Sequence, residues 1–225
     1  MSINMVKKID DLTKVKHVLV SVSDKKGLEG FIPQLLKINP NVKIFSTGGT
    51  FARLESILGN EADQCLTQVS AYTGQPETQG GLVKTLDFKI YLGLLTETYN
   101  SAHQIDLTRT SAVGIDMVVV NLYPFAETIS KPGVTIEEAR GNIDIGGPCM
   151  IRAAAKNFLR VASVVDPSDY KSIINELEKH DGATSLELRY RLAQKAFGHT
   201  AIYDRQIADF FQQKSLDEVQ GCYNN

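Results

Sequence analysis

Cysteine and histidine are scarce. The 225 residues hold three cysteines, Cys65, Cys149 and Cys222, and four histidines, His17, His103, His180 and His199. Neither set has the spacing of a disulfide framework or a metal-ligand cluster, so a stapled scaffold and a zinc site are both excluded. No apolar run approaches the ~20 residues that a membrane-spanning helix needs. Residues 1–16 alternate charged and apolar side chains and lack the apolar core of a secretory signal. An excess of one charge sign is missing too. The formal net charge is −2 and the sequence pI about 6.1, which gives a nucleic-acid partner no general electrostatic support. Internal repeats and low-complexity tracts are absent. The expectation is a cytoplasmic, metal-free chain with neither a nucleic-acid nor a membrane partner.

What is present is ordinary globular material, 43% hydrophobic and 22% charged, enough for one sizeable core. His17–Ser21 and Val42–Ser46 read as short buried strands, and Ile90–Leu95, Met117–Leu122 and Val161–Val165 as further apolar runs of strand length. Between them, Leu28, Phe31, Ile32, Leu35 and Leu36 share one helical face, with Pro33 starting or bending that helix. A helical run covers 51–58, another begins near Pro167, and 185–211 is helical with few breakers. Short apolar strands alternating with helices predict an α/β fold with a mostly parallel sheet covered on both faces. One domain spans about 16–211. Residues 1–15 are expected to be an N-terminal extension and 212–225 a frayed polar tail.

Chemistry gathers at strand ends. Ser46-Thr47-Gly48-Gly49-Thr50 stands where a strand feeds a helix, and its glycines let backbone N–H groups approach a phosphate. Ser23, Asp24 and Lys25 follow the first strand in a similar hydroxyl-rich turn. In a parallel sheet these carboxyl ends lie side by side, so two such turns and a lysine converging on one phosphate is more telling than either turn alone. Gly80–Thr85 adds Lys84 and Thr85 on a flexible stretch. Asn121 and Tyr123 follow another strand. The run Gly141–Asn157 supplies Asp144, two glycines, Pro148 at a helix start and Lys156 beyond. Taken singly, each of these has a bland alternative: a ligand-free turn, a solvated lysine, a core tyrosine, a helix cap.

Taken together they resemble the IMP cyclohydrolase domain of the bifunctional purine-biosynthesis enzymes, which pair that activity with an AICAR transformylase. The motifs that carry the resemblance are Ser-Asp-Lys at 23–25, Ser-Thr-Gly-Gly-Thr at 46–50, Tyr-Thr-Gly at 72–74 and Val-Lys-Thr-Leu at 83–86. Asn-Leu-Tyr-Pro-Phe at 121–125, Pro-Gly-Val-Thr at 132–135 and Asn-Ile-Asp-Ile-Gly-Gly-Pro at 142–148 follow in the family's order. Arg-Ala-Ala-Ala-Lys-Asn at 152–157 and Lys-Ala-Phe-Gly-His-Thr-Ala at 195–201 complete the set.

The resemblance implies a methylglyoxal-synthase-like three-layer α/β sandwich. It also implies dehydrative closure of 5-formamidoimidazole-4-carboxamide ribotide (FAICAR) to IMP without a metal or redox cofactor. Lys84, Tyr123, Asp144 and Lys156 match the catalytic set. Ser23, Asp24, Lys25, Thr47, Gly48, Gly49, Thr50, Thr85, Asn121 and Ile145 match nucleotide-binding positions. A homodimer is expected, with the transformylase supplied by a separate protein or by a longer chain. One segment departs from the family: Leu82 replaces an arginine, and Asp87 and Tyr91 replace two histidines. A leucine cannot donate a guanidinium's hydrogen bonds, so weaker nucleotide contacts are expected there, with Lys89 and Arg109 the nearest alternative cations in sequence. The competing reading is a non-catalytic regulatory domain of the same fold. Such a domain would keep the phosphate turn but has no use for Tyr123, Asp144 and Lys156.

Overall fold

The computed structural model of the chain describes residues 5–75, 78 and 83–223. From the N-terminus come β1 (Leu12–Lys14), β2 (His17–Val22), α1 (Leu28–Ile38), β3 (Lys43–Ser46) and α2 (Gly48–Leu58). Next are α3 (Ala62–Cys65), β4 (Leu66–Gln68), α4 (Val69–Thr73), α5 (Phe88–Leu95), α6 (Ser101–Thr110) and β5 (Met117–Asn121). The second half contains α7 (Phe125–Ile129), α8 (Ile136–Gly141), α9 (Gly146–Lys156), β6 (Ala162–Val164), α10 (Tyr170–Lys179), β7 (Ala183–Ser185), α11 (Leu186–Gln212) and α12 (Leu216–Tyr223).

The central sheet is parallel throughout, in the order β4-β3-β2-β5-β6. Side chains alternate across a strand, so Val18, Val20 and Val22 of β2 pack with α1 and α10 on one face, whereas Leu19 packs with α5, α9 and α11 on the other. A sheet buried on both faces explains why its strands read as continuous apolar runs. This is the expected three-layer α/β sandwich. The register sets Val20 opposite Ser46 and Val22 opposite Asn121, which levels the carboxyl ends of β3, β2 and β5. From the first of these, β2, the sheet grows outward to β3 and β4 on one side and to β5 and β6 on the other. Such a reversal opens a crevice at the strand ends.

Helix α1 buries Leu28, Phe31, Ile32, Leu35 and Leu36, the face that the apolar spacing marked out. Pro33 lies inside this helix on its exposed side. Other expectations are corrected. The run Ile90–Leu95 is not a strand but most of α5. Asp87 caps that helix by accepting the Lys89 N–H at 2.7 Å, and Ile90, Gly93 and Leu94 form a buried face at helical spacing. Gly93 is needed there, since a Cβ would collide with the Val113 carbonyl. The segment expected to fray contains α12, where the Ser215 hydroxyl accepts the Glu218 N–H at 3.2 Å and the Glu218 carboxylate accepts the Ser215 N–H at 2.8 Å.

Residues 10–14 are built into the fold as well. β1 pairs antiparallel with β7, Thr13 opposite Thr184. Beside this ribbon the Arg189 guanidinium is fully buried, with no ion-pair partner among the described residues. It donates to the carbonyls of Asp10 at 2.8 Å, Phe158 at 3.0 Å, Leu159 at 3.1 Å and Asp11 at 3.3 Å, and to that of Thr184. Burial lowers its pKa to about 10. At the amino end of the sheet, Arg160 and Asp116 form a buried ion pair at 2.8 Å, and Asp116 also accepts the N–H groups of Lys16 and His17.

Candidate active site

Three loops meet over the carboxyl ends of β3, β2 and β5. After β3, Thr47 is extended and Gly48 takes φ +47°, a left-handed conformation that any side chain would strain. The turn opens α2 with no side-chain cap, and among the described residues the N–H groups of Gly48 and Gly49 have no hydrogen-bond partner. Lys84 Nζ stands 3.3 Å from where a Cβ of Gly48 would be, and Lys25 Nζ 3.9 Å from the equivalent point at Gly49. Neither lysine has an ion-pair partner among the described residues. Two cations and two free N–H groups at the positive end of a helix make an anion cradle.

The turn after β2 is held from β5. Asn121 Oδ1 accepts the N–H groups of Ser23 at 2.6 Å and Asp24 at 3.0 Å, and Asn121 Nδ2 donates to the Asp24 carbonyl at 2.8 Å. The Thr50 hydroxyl accepts the Val22 N–H at 3.1 Å and donates to the Val22 carbonyl at 2.9 Å. Thr50 and Asn121, expected to bind nucleotide, therefore spend their polar atoms on aligning the turns.

The third wall is the non-helical segment between α8 and α9. Asp144 Oδ1 accepts the Gly147 N–H at 2.8 Å, the spacing of a helix cap, and the Asp144 N–H donates to the Tyr203 hydroxyl at 2.8 Å. Both glycines are sites of close approach. A Cβ on Gly146 would run into the Thr85 hydroxyl, and one on Gly147 would lie 2.6 Å from Leu122. Adjacent residues Lys84 and Thr85 thus bridge the walls, one at the Gly48 turn and the other at Gly146. Burial pushes the Asp144 carboxyl up from its ordinary range, partly offset by the N–H groups of Gly147 and Tyr123.

These walls enclose a cavity of about 390 Å³. Of the residues singled out in the sequence, Ser23, Lys25, Thr47, Gly48, Gly49, Thr50, Lys84, Thr85, Asn121, Tyr123, Asp144 and Ile145 line it. Asp24 does not; it faces an adjoining cavity of about 660 Å³ that shares Ser23 and Asn121 with the first. Lys156 is not brought to the site either. It is exposed in the last turn of α9, whose first residue is Gly146. Leu82 lies outside the described residues. The cations suggested as its replacements are engaged elsewhere, Lys89 at the Tyr72 carbonyl and ring, and Arg109 with Asp106 on α6. Asp87 is accounted for as the α5 cap, and Tyr91 is half-buried beside Cys149, with burial raising its hydroxyl pKa. The sequence offered Ser21 only as the start of the hydroxyl-rich turn after the first strand, and here its hydroxyl lies 3.3 Å from that of Thr47; sequence reasoning missed Tyr203, which follows the 195–201 motif by two residues.

The layered parallel sheet and a cavity at its switch point, lined by lysines and by N–H groups unpaired among the described residues, define an α/β sandwich protein with a site suited to a small anionic group. Residues 27–149 match the MGS-like domain, and residues 154–224 match the AICARFT/IMPCHase bienzyme family. The chain belongs to the MGS-like domain family. The bifunctional purine biosynthesis protein PurH of Listeria innocua serovar 6a is 48% identical over 196 residues, 87% of this chain and 37% of that protein. PurH of Chlorobium phaeobacteroides strain BS1 is 46% identical over 206 residues, 91% of this chain and 38% of its own length. The chain therefore spans less than two fifths of these curated relatives and resembles their IMP cyclohydrolase half. The crystal structure of ForH superimposes with a TM-score of 0.76 at 31% identity, covering 88% of this chain and 97% of that one.

Proposed function

We propose that the chain is an IMP cyclohydrolase of purine biosynthesis, closing FAICAR to IMP with loss of water. One observation carries the reading: a single cavity holds an anion cradle, Lys25 and Lys84 over Gly48–Gly49, together with a partly desolvated carboxyl, Asp144, and Tyr123. An anion site alone would suit a regulatory domain equally well; the acid and the phenol inside the same space favour the enzyme.

The ribotide phosphate sits on the Thr47–Thr50 turn, where the N–H groups and two ammonium ions replace its hydration. The base then reaches toward Asp144 and Tyr123. Nucleophile and electrophile belong to one molecule, so the protein has chiefly to hold the carboxamide against the formyl group. The carboxamide nitrogen attacks the formyl carbon as Asp144 takes its proton, and the formyl oxygen becomes the hydroxyl of a cyclic carbinolamine. Breaking that C–O bond, with a proton delivered to the departing oxygen and the former formamide nitrogen giving up its own proton, releases water and leaves the C=N bond of IMP. Lys84 is the cavity lysine available to stabilise the developing oxyanion, and Tyr123 orients the carboxamide.

Lys156 enters this scheme only through a second copy. The rise along α9 sets it roughly 15 Å from Gly146 at ~1.5 Å per residue, so we place it in a partner's site within a homodimer. The transformylase step falls to a separate protein or to the rest of a longer chain. Ultraviolet detection of IMP formed from purified FAICAR, with and without a chelator, tests the activity. No IMP at micromolar enzyme ends the reading, and a monomer by sedimentation at assay concentrations removes Lys156 from it.

A further inference from the structure

Tyr203 makes no part of the site as read from sequence, yet its hydroxyl is the polar contact that α11 makes with the Asp144 turn. It accepts the Asp144 N–H at 2.8 Å and donates to the Asn142 carbonyl at 3.4 Å. The ring is 5% exposed and meets Phe125 edge-on, with centroids 6.2 Å apart. Nothing else on α11 is hydrogen-bonded to residues 142–147 among the described residues. From the cavity side the turn is fixed by the N–H groups of Gly147 and Tyr123 on the Asp144 carboxylate and by the close approach of Thr85 to Gly146 and of Leu122 to Gly147. One phenol thus holds the backbone at both ends of the 142–144 segment.

We infer that Tyr203 is a positioning residue for the Asp144 carboxyl, its hydroxyl clamping the turn so that Asp144 faces the anion cradle. The inference rests on the proposed cyclohydrolase reading for its consequence in turnover, and on geometry alone for the clamp. The clamp has a directional signature. Asp144 titrates high because it is partly buried. The other titratable groups about it are Tyr123 after β5, Lys25 and Lys84 across the cavity, Cys149 on α9, and Tyr203 and Asp204 on α11. Releasing the turn admits water, and the carboxyl then ionises at lower pH. Burial holds the Tyr203 phenol in its protonated form, which it needs in order to donate to Asn142.

The test is Tyr203→Phe, which keeps the ring and its packing, measured by amide hydrogen exchange and by kinetics. Exchange in peptides covering 142–147 should accelerate about tenfold or more in the variant, with other α11 contacts unchanged. Turnover should fall about 10- to 100-fold with KM within about twofold, and the acid limb of the rate should move to lower pH. In an Asp144→Asn background the same change should cost at most about twofold, because the hydroxyl acts through that side chain. Unchanged exchange at 142–147 overturns the inference. So does an equal loss of rate in both backgrounds, or a loss without movement of the acid limb, as plain destabilisation would give. If the wild type forms no IMP but exchange accelerates in Tyr203→Phe, the clamp stands and the cyclohydrolase reading falls.

Discussion

At the scale of single residues, the proposed function expects Lys25 to act in binding, Asp144 in chemistry and Lys84 in both. Lys25→Ala and Lys84→Ala each remove a charge-assisted contact to phosphate worth roughly 1.5–3 kcal/mol, so nucleotide Kd should rise by about one to two decades in calorimetry. Lys84→Ala should also lower turnover, which separates the two. Asp144→Asn should leave Kd nearly unchanged and cut turnover by about 100-fold or more. It should also stabilise the protein at neutral pH. The Asp144 pKa is raised on folding, so its contribution to stability is full below the ordinary carboxylate pKa and is lost as pH climbs through the folded value. An amide at this position avoids that loss, so the thermal midpoint of the variant should exceed that of the wild type at pH 7 and match it near pH 3. Leu82→Arg restores a guanidinium at a position where the family has one. Neither Lys89 nor Arg109 lines the cavity, so this change should tighten nucleotide binding about 10-fold without altering turnover; weaker binding would mean that the segment has been remodelled.

At the scale of elements, what could be read from the sequence was whatever burial and local turn chemistry dictate. β2, β3, β5 and β6 are apolar runs closed off by turn residues, and α1 carries its core face at helical spacing. Ile90–Leu95 deceived because a short apolar run suits a buried strand and a buried helix equally; the Asp87 cap decides between them. β1, β4 and β7 are three residues each, too short to carry a period, and are defined by the strands they pair with. The cavity lining was legible because its residues sit in turns with few other uses. The backbone hydrogen bonds of Thr50, Asn121 and Tyr203 were not, since a hydroxyl or amide bound to backbone looks the same in sequence as one bound to ligand. The glycine pair at the start of α9 offers a sharp test. Gly146→Ala sets a methyl against the Thr85 hydroxyl, so the turns carrying Lys84 and Asp144 must part. Turnover should drop by about 10-fold or more for a stability loss of roughly 1–3 kcal/mol.

At the scale of the whole molecule, buried contacts at the amino end of the sheet hold the structure together, and the proposed chemistry lies at the carboxyl end. Arg189→Met tests the first part. It strands several buried carbonyls, each costing about 1–3 kcal/mol, so unfolding should shift by at least ~3 kcal/mol. For a chain of this size that is a fall in Tm of roughly 6–12 °C, with KM and turnover of the folded enzyme unchanged at 25 °C.

The ribbon of β1 and β7 has a consequence for synthesis. Thr13 pairs with Thr184, so β1 leaves the ribosome long before the strand it pairs with. At ~5–20 residues per second that interval is on the order of 10–30 s, during which the β1 edge has no partner. β2 to β6 all precede β7 in the chain and can assemble meanwhile, with Arg189 arriving only after the sheet it locks. The nascent protein therefore closes from the middle outward, and its site turns exist before its clasp does.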